Sequence, residues 1–246
     1  MSSDNPRLRG KVAIVTGGAR GLGAAYARGL VEAGARVTAT DVLEEEGRAL
    51  AGELGENAMF LRHDVTRLAA WTEVVRATEE RFGPVGVLVN NAGIIHQEPL
   101  ETVSEANYRR VIDVNQVGVL LGMQAVLGSM LRAGKGSIIN ISSVAGLTCF
   151  PGIIGYVASK WAVRGMSKAA AVELGPRGIR VNSVHPGFID TPMNPIPADS
   201  PAILSQPLPR KAMPQELAGL IVFLASDESS YCTGSEFIAD GGYTAQ

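Results

Sequence analysis

The sequence predicts a doubly wound, Rossmann-type α/β fold: a mostly parallel seven-stranded sheet with helices on both faces, forming a single domain over 1–246. Three observations carry this expectation. Short β-branched apolar runs alternate along the chain with longer segments of helical periodicity. The first run breaks directly into a glycine-rich turn followed by a helix-compatible segment. The strand ends collect glycine, asparagine, serine and proline, as expected where ligands sit at the carboxyl edge of a parallel sheet.

Lys11 to Thr16 is the first strand, and Gly17-Gly18-Ala19-Arg20-Gly21-Leu22-Gly23 is the turn that enters a helix running to about Ala33. Glycines let a backbone approach a pyrophosphate, and a helix N-terminus offers it unpaired N–H groups and a positive dipole end. The spacing is G-x-x-x-G-x-G rather than the usual dinucleotide fingerprint, but its strand-to-helix setting favours dinucleotide binding. Arg36 to Asp41 is the second strand. A carboxylate at its end can accept hydrogen bonds from adenosine ribose hydroxyls and would repel a 2′-phosphate, which favours NAD over NADP. Arg20 argues the other way, as a cation able to pair with that phosphate.

A helix over Glu44–Leu54, a third strand over Ala58–Arg62 and a helix from about Arg67 to Phe82 follow. Between the last two, Asp64 and Val65 are candidate adenine contacts, and Asp64 is equally a candidate helix N-cap. Val85 to Asn90 is a fourth strand leading to Asn91, Ala92 and Gly93, a corner of small residues. Two helices are expected between Glu101 and Arg132, with Asn115 near their junction and its side chain bonded to backbone. Gly136 to Ser143 is a fifth strand, ending in two hydroxyls. Thirteen residues past Ser143 comes Tyr156-Val157-Ala158-Ser159-Lys160, in a long helix from Gly155 to about Leu174. On a helix Tyr156 and Lys160 share a face, so the ammonium can lower the phenol pKa and make it a proton-transfer group. Alone this spacing says little, since the two residue types fall four apart by chance in many helices.

Ile179 to His185 is a sixth strand, closing on Pro186 and Gly187. Then the texture changes: seven of thirteen prolines lie between Pro192 and Pro214, which forbids a long helix. The apolar residues mixed among them make 188–213 a candidate substrate lid. Gln215 to Ser226 is a further helix, and Gly234 to Gly242 a last short strand and turn.

The bulk numbers narrow the function. A hydrophobic fraction of 46% and a charged fraction of 19% are those of an ordinary globular protein. The formal charge of -2, with no basic stripe, argues against nucleic acid or an anionic membrane as partner. No apolar run reads as long enough to span a bilayer, and Met1 to Gly10 reads as a short frayed lead-in without a signal core. Cys149 and Cys232 are expected to be buried or half-buried thiols in a reducing cytoplasm. His63, His96 and His185 have no metal-ligand spacing, so no metal is expected, and His185 reads as a core side chain.

Thr16-Gly17-x-x-x-Gly21-x-Gly23, Asn90-Asn91-Ala92-Gly93, Asn115, Ser143, Tyr156-x-x-x-Lys160 and Pro186-Gly187 together resemble the short-chain dehydrogenase/reductase family, over Lys11 to Gly242. Gly17 to Gly23, Asp41 and the strand from Arg180 to Gly187 are most similar to bacterial NAD-linked hydroxysteroid and related secondary-alcohol dehydrogenases. The resemblance implies a homotetrameric NAD(P)-dependent enzyme interconverting alcohols and carbonyls. It makes Tyr156 the general acid/base, Ser143 the holder of the substrate oxygen, Lys160 the modulator of Tyr156 and Asn115 the anchor of a water. Expected cofactor contacts are Gly17, Arg20, Gly21, Leu22, Gly23, Asp41, Asp64, Val65, Asn91, Ala92, Gly93, Tyr156, Lys160, Pro186, Gly187, Ile189 and Thr191. Ile94, Ile95, His96, Leu147, Cys149, Phe150 and Phe188 suggest an apolar pocket for a hydrophobic ketone or secondary alcohol. Two other functions are weighed: an NADPH-dependent 3-oxoacyl-carrier-protein reductase, against which Asp41 and the net charge speak, and a dinucleotide-binding sensor or scaffold without turnover.

Overall fold

The computed structural model describes residues 6–245. Seven strands form one parallel sheet in the order β3-β2-β1-β4-β5-β6-β7. They are β1 (Val12–Thr16), β2 (Arg36–Asp41), β3 (Ala58–Arg62), β4 (Val87–Asn90), β5 (Gly136–Ile141), β6 (Ile179–Pro186) and β7 (Glu236–Ala239). The order reverses between β1 and β4, and the loops leaving these two strands part there to open a crevice at the carboxyl edge. The helices are α1 (Gly21–Glu32), α2 (Glu44–Leu54), α3 (Leu68–Phe82), α4 (Glu105–Ile112), α5 (Gly118–Ala133), α6 (Ile154–Leu174), α7 (Pro201–Leu204) and α8 (Ala218–Ala225).

The period-2 pleat splits the apolar strand residues between two cores. Ala13, Val15, Val37, Val89 and Ile139 point to the face covered by α1 and α8. Ile14, Leu88, Ile138 and Val181 point to the face covered by α3, α5 and α6. Because both faces are covered, β1 and β4 are apolar up to their last residues, Thr16 and Asn90, and all of both strands is buried.

Several expectations are corrected. The fifth strand ends at Ile141, leaving Ser142 and Ser143 beyond it. Residues 6–10 are not frayed: Leu8 is fully buried and its N–H donates to the carbonyl of Ala33, while Arg7 bonds Glu228. Residues 1–5 of that lead-in lie outside the described residues. The two helices expected between Glu101 and Arg132 are present as α4 and α5, but their junction is a π-helical turn, Asp113–Val117, that makes them one continuous helical run. That run, Glu105–Ala133, is long and apolar enough to cross a membrane by length and composition, which reading it as two helices concealed. Val111, Val119, Met123, Val126 and Met130 on it are nonetheless buried within the protein.

Candidate active site

The loops leaving β1, β4, β5 and β6 meet at the carboxyl edge. At β1, Gly17 and Gly21 have φ of 61° and 57°, a left-handed backbone that side chains resist. Gly23 has no room for a side chain: a Cβ there would lie 2.0 Å from the Gly17 oxygen and 2.7 Å from Asn91 Nδ2. Asn91 braces the turn, donating from Nδ2 to the carbonyls of Thr16 at 2.9 Å and Gly17 at 3.1 Å. Thr16 Oγ1 in turn accepts the N–H groups of Asn91 and Ala92, each at 3.0 Å. Arg20 is the exposed N-cap residue of α1 and its side chain caps nothing, so the first N–H groups of α1 face the crevice uncapped by it.

Asp41 has a structural task that its position in the sequence did not reveal. Oδ2 accepts the Ala19 N–H at 3.1 Å, and Oδ1 accepts from Val42 at 2.8 Å and Leu43 at 3.2 Å. The carboxylate is thereby fixed against the glycine turn. Asp64 does not cap α3, whose N-cap is Arg67; it closes its own turn by accepting from the Thr66 N–H and hydroxyl. Those bonds help hold its pKa below the usual carboxylate value against the opposing effect of burial. Val65 and Ile189 are buried in the two cores, so either would meet a cofactor through its backbone. Leu22 packs partly buried at the base of α1. Thr191 does approach the turn, its Cγ2 lying 3.5 Å from where a Cβ on Gly21 would sit. Pro186 is buried, and Gly187 lies so close to Asp240 that a Cβ would fall 2.6 Å from its Cα.

Asn115 is fully buried in the π-helical turn, the kind of helix defect that often marks a functional position. It pairs with the main chain of Ile94 in both directions, at 2.8 and 2.9 Å, and donates to Ser159 Oγ at 3.1 Å. Ser159 donates to the Tyr156 carbonyl at 2.7 Å, so Asn115 and Ser159 link the β4 loop to the first turn of α6. Gly93 lies in this junction, with the Lys160 Nζ 3.6 Å from a Cβ placed on it.

The two serines separate in role. Ser142 is buried and its hydroxyl donates to the Lys160 carbonyl at 2.9 Å. Ser143 is partly exposed; its Oγ accepts the Ala145 N–H at 3.1 Å, and its side chain lies close enough to the Tyr156 hydroxyl to favour the phenolate. Lys160 Nζ donates to the Ile141 carbonyl at 2.8 Å and stands 5.5 Å from the Tyr156 ring centre. Burial pushes the Lys160 ammonium down to about 8. Burial also raises the Tyr156 phenol, with Ser143 opposing it. The expected lowering of the phenol is therefore outweighed by desolvation, which disfavours phenolate and ammonium alike.

Phe150, Phe188 and Tyr243 form an aromatic trio. Tyr243 stacks on Phe150 at 5.9 Å and meets Phe188 edge-on at 5.4 Å. Tyr243, from the C-terminal turn, escaped the sequence reading because nothing near it in sequence marks it. His96 departs from the apolar pattern: Nε2 lies 2.8 Å from Glu98 Oε2, and Asn107 also donates to that carboxylate. Cys149 is exposed rather than buried, and both cysteines are free.

The residues fit a dinucleotide. The glycine turn is a cradle that a Cβ would fill, and uncapped N–H groups of α1 and the Asp41 carboxylate flank it.

A family model described as Enoyl-(Acyl carrier protein) reductase matches residues 17–244. The chain is 51% identical over 240 residues to a 3-alpha-(or 20-beta)-hydroxysteroid dehydrogenase of Mycobacterium tuberculosis, covering 97% of this chain and 91% of that one. It is 43% identical to an NADP-dependent (R)-specific alcohol dehydrogenase of Lentilactobacillus kefiri, covering 98% and 99%. Among solved structures, a short-chain type dehydrogenase/reductase from Mycobacterium marinum superposes with a TM-score of 0.92 at 36% identity, covering 99% of each chain.

Proposed function

Since this chain belongs to the short-chain dehydrogenase/reductase family, whose members are oxidoreductases acting on CH–OH groups, we propose that it interconverts a hydrophobic secondary alcohol and its ketone with NAD(H). The observation that carries the reading is the juxtaposition of Tyr156 and Ser143, with the Lys160 Nζ 5.5 Å from the Tyr156 ring centre.

A bound NAD(P) supplies the hydride acceptor or donor. Gly17, Arg20, Gly21, Leu22 and Gly23 would hold its pyrophosphate side, Asp41 a ribose, Asp64 and Val65 the adenine. Asn91, Ala92, Gly93, Pro186, Gly187, Ile189 and Thr191 would line the path to the nicotinamide. In oxidation Tyr156 takes the hydroxyl proton of the alcohol; in reduction it returns that proton to the ketone oxygen. Ser143 holds the substrate oxygen. Lys160, the cation beside the ring, works against the desolvation that raises the phenol, and would hold the nicotinamide ribose. Asn115 anchors a water joining Lys160 to solvent.

NAD is favoured over NADP by the placement of Asp41, held by Ala19 at the glycine turn where a 2′-phosphate would meet like charge. A hydrophobic ring substrate, with a steroid as one candidate, is supported by the aromatic trio and by the hydroxysteroid relative. Segment 188–213 acts as the substrate lid: its base is pinned by Ile189 pairing with Ala212, while Met193, Ile196, Leu204 and Leu208 stay exposed. Exposed Leu120, Trp161 and Val172 on α5 and α6 suit a homotetramer, and the free cysteines suit a cytoplasmic protein.

The test is a spectrophotometric panel of ketones, secondary alcohols, steroids and acyl thioesters with both cofactor pairs, run on the wild type and on Tyr156→Phe. The variant should lose about 10²- to 10⁴-fold in turnover while binding NADH normally. Near-normal turnover in Tyr156→Phe would sink the assignment.

A further inference from the structure

His185 is fully buried at the end of β6, and the chemistry above makes no use of it. Its Nδ1 lies 3.1 Å from the main-chain oxygen of Ser143, and its Nε2 lies 3.0 Å from Ser183 Oγ. A carbonyl oxygen only accepts, so Nδ1 carries the proton. Burial lowers the imidazole pKa; the bond to the Ser143 carbonyl and the charge of Glu236 of β7 oppose it, while Arg164 and Lys160 of α6 act in the same direction as burial. In the neutral ring Nε2 accepts, and the Ser183 hydroxyl is its donor. Ser183 and His185 are two residues apart on one strand and thus on one face, so β6 itself sets up this relay.

The carbonyl of Ser143 is a point where such a bond matters. The β5–β6 register ends with Ser142 N–H donating to the Val184 carbonyl at 2.8 Å. One residue later the chain leaves the sheet, and the Ser143 oxygen accepts from Gly146 N–H at 2.9 Å within its own turn. The bond from His185 is the one that ties this peptide back to β6.

We propose that His185 is a positioning residue that locks the peptide following Ser143 to β6 and thereby aims the Ser143 hydroxyl at Tyr156 and the substrate oxygen. This rests on the reading of Ser143 as the group that holds that oxygen. Asparagine can place an N–H near the position of Nδ1, whereas the glutamine amide reaches toward Nε2. His185→Gln should therefore lower kcat about 10- to 100-fold, as expected when a reacting group is misplaced. NADH binding, followed by its fluorescence, should stay unchanged. His185→Asn should restore most of the rate. Ser183→Ala, which frees the tautomer, should lower kcat in the wild type but not in the His185→Asn background.

Equal turnover of wild type, Asn and Gln variants would overturn the proposal, as would an equal fall in both variants. Should His185→Gln fail to fold, an unchanged kcat in Ser183→Ala overturns it alone. Ser143→Ala is measured in parallel. If it keeps its turnover, the reading of Ser143 is wrong; if it loses turnover while His185→Gln does not, only the role of His185 is wrong.

Discussion

The glycine corner and segment 188–213 lie at the same edge of the sheet and are held in opposite ways. In the corner nearly every polar contact reaches main chain: Asn91 to Thr16 and Gly17, Thr16 to Asn91 and Ala92, Asp41 to Ala19. No spare volume remains around Gly23. Segment 188–213 has one four-residue helix, a single bridge from Ile189 to Ala212, and ties such as Lys211 Nζ to the Asn194 carbonyl at 3.0 Å. Its buried anchors are Phe188, Ile189, Ile203 and Gln206. A site for an invariant ligand can be built from backbone, whereas a surface that selects among substrates is built from side chains on a loosely tied chain. Changes in the corner should therefore remove binding or chemistry outright, and changes on the substrate side should alter affinity.

The largest effect is expected at Lys160, on the seam between the two. Lys160→Met should cost about 10²- to 10⁴-fold in turnover, on the scale of general acid/base catalysis. Its pH profile is the sharper measurement. Oxidation needs the phenolate, so its kcat/KM rises with pH; removing a neighbouring cation disfavours the phenolate of a phenol that burial already raises, and the rising limb moves to higher pH. A limb that stays in place removes Lys160 from that role. Next is Gly23→Ala, whose Cβ must collide with backbone. Overpacking of this kind should weaken NADH binding about 10- to 100-fold, measured by fluorescence titration, with substrate selectivity unchanged. Tight binding by this variant would break the contrast at its rigid end.

Asp41→Ala should shift the ratio of NAD to NADP efficiency about tenfold toward NADP, a change of ~1.4 kcal/mol. The ratio is the proper readout, because losing the bond to Ala19 weakens both cofactors alike. An unaltered ratio means that Asp41 only braces the turn. The smallest effect is expected at Tyr243→Ala, which should raise KM for bulky ring ketones about three- to tenfold at nearly constant kcat, the cost of roughly one aromatic contact. A fall in kcat instead would place Tyr243 among the groups that position the reacting atoms.

Much of the site was legible from the chain because its parts are strand ends. A βαβ chain delivers strand ends to one edge whatever else it does, so Gly17 to Gly23, Asn91 to Gly93, Ser143 and Gly187 could be grouped from their order alone. Asn115 was placed at a helix junction, and its bond to the Ile94 backbone follows that expectation. The π-helical turn that carries it is not visible in the chain, since an extra residue leaves the period of each flanking helix unchanged and shifts only the phase between them, as any junction of two helices would. Nor does the chain mark the end of β5 or the anchoring of the lead-in: Ser142 makes the last bond to β6, Ser143 leaves the ladder, and Leu8 enters the core.

By itself the sequence determined the sheet and the glycine cradle, and it singled out Tyr156 as the candidate proton-transfer group, because these readings rest on residue type and on the order of motifs along the chain. Tertiary structure alone decided which serine faces Tyr156 and which binds the backbone of Lys160. It likewise decided that burial raises the phenol of Tyr156, and that His185 reaches the carbonyl of Ser143. Tyr243 joins Phe150 across nearly a hundred residues of chain for the same reason. Burial and hydrogen-bond partnership belong to atoms brought together from distant segments, and no local pattern in the chain encodes them.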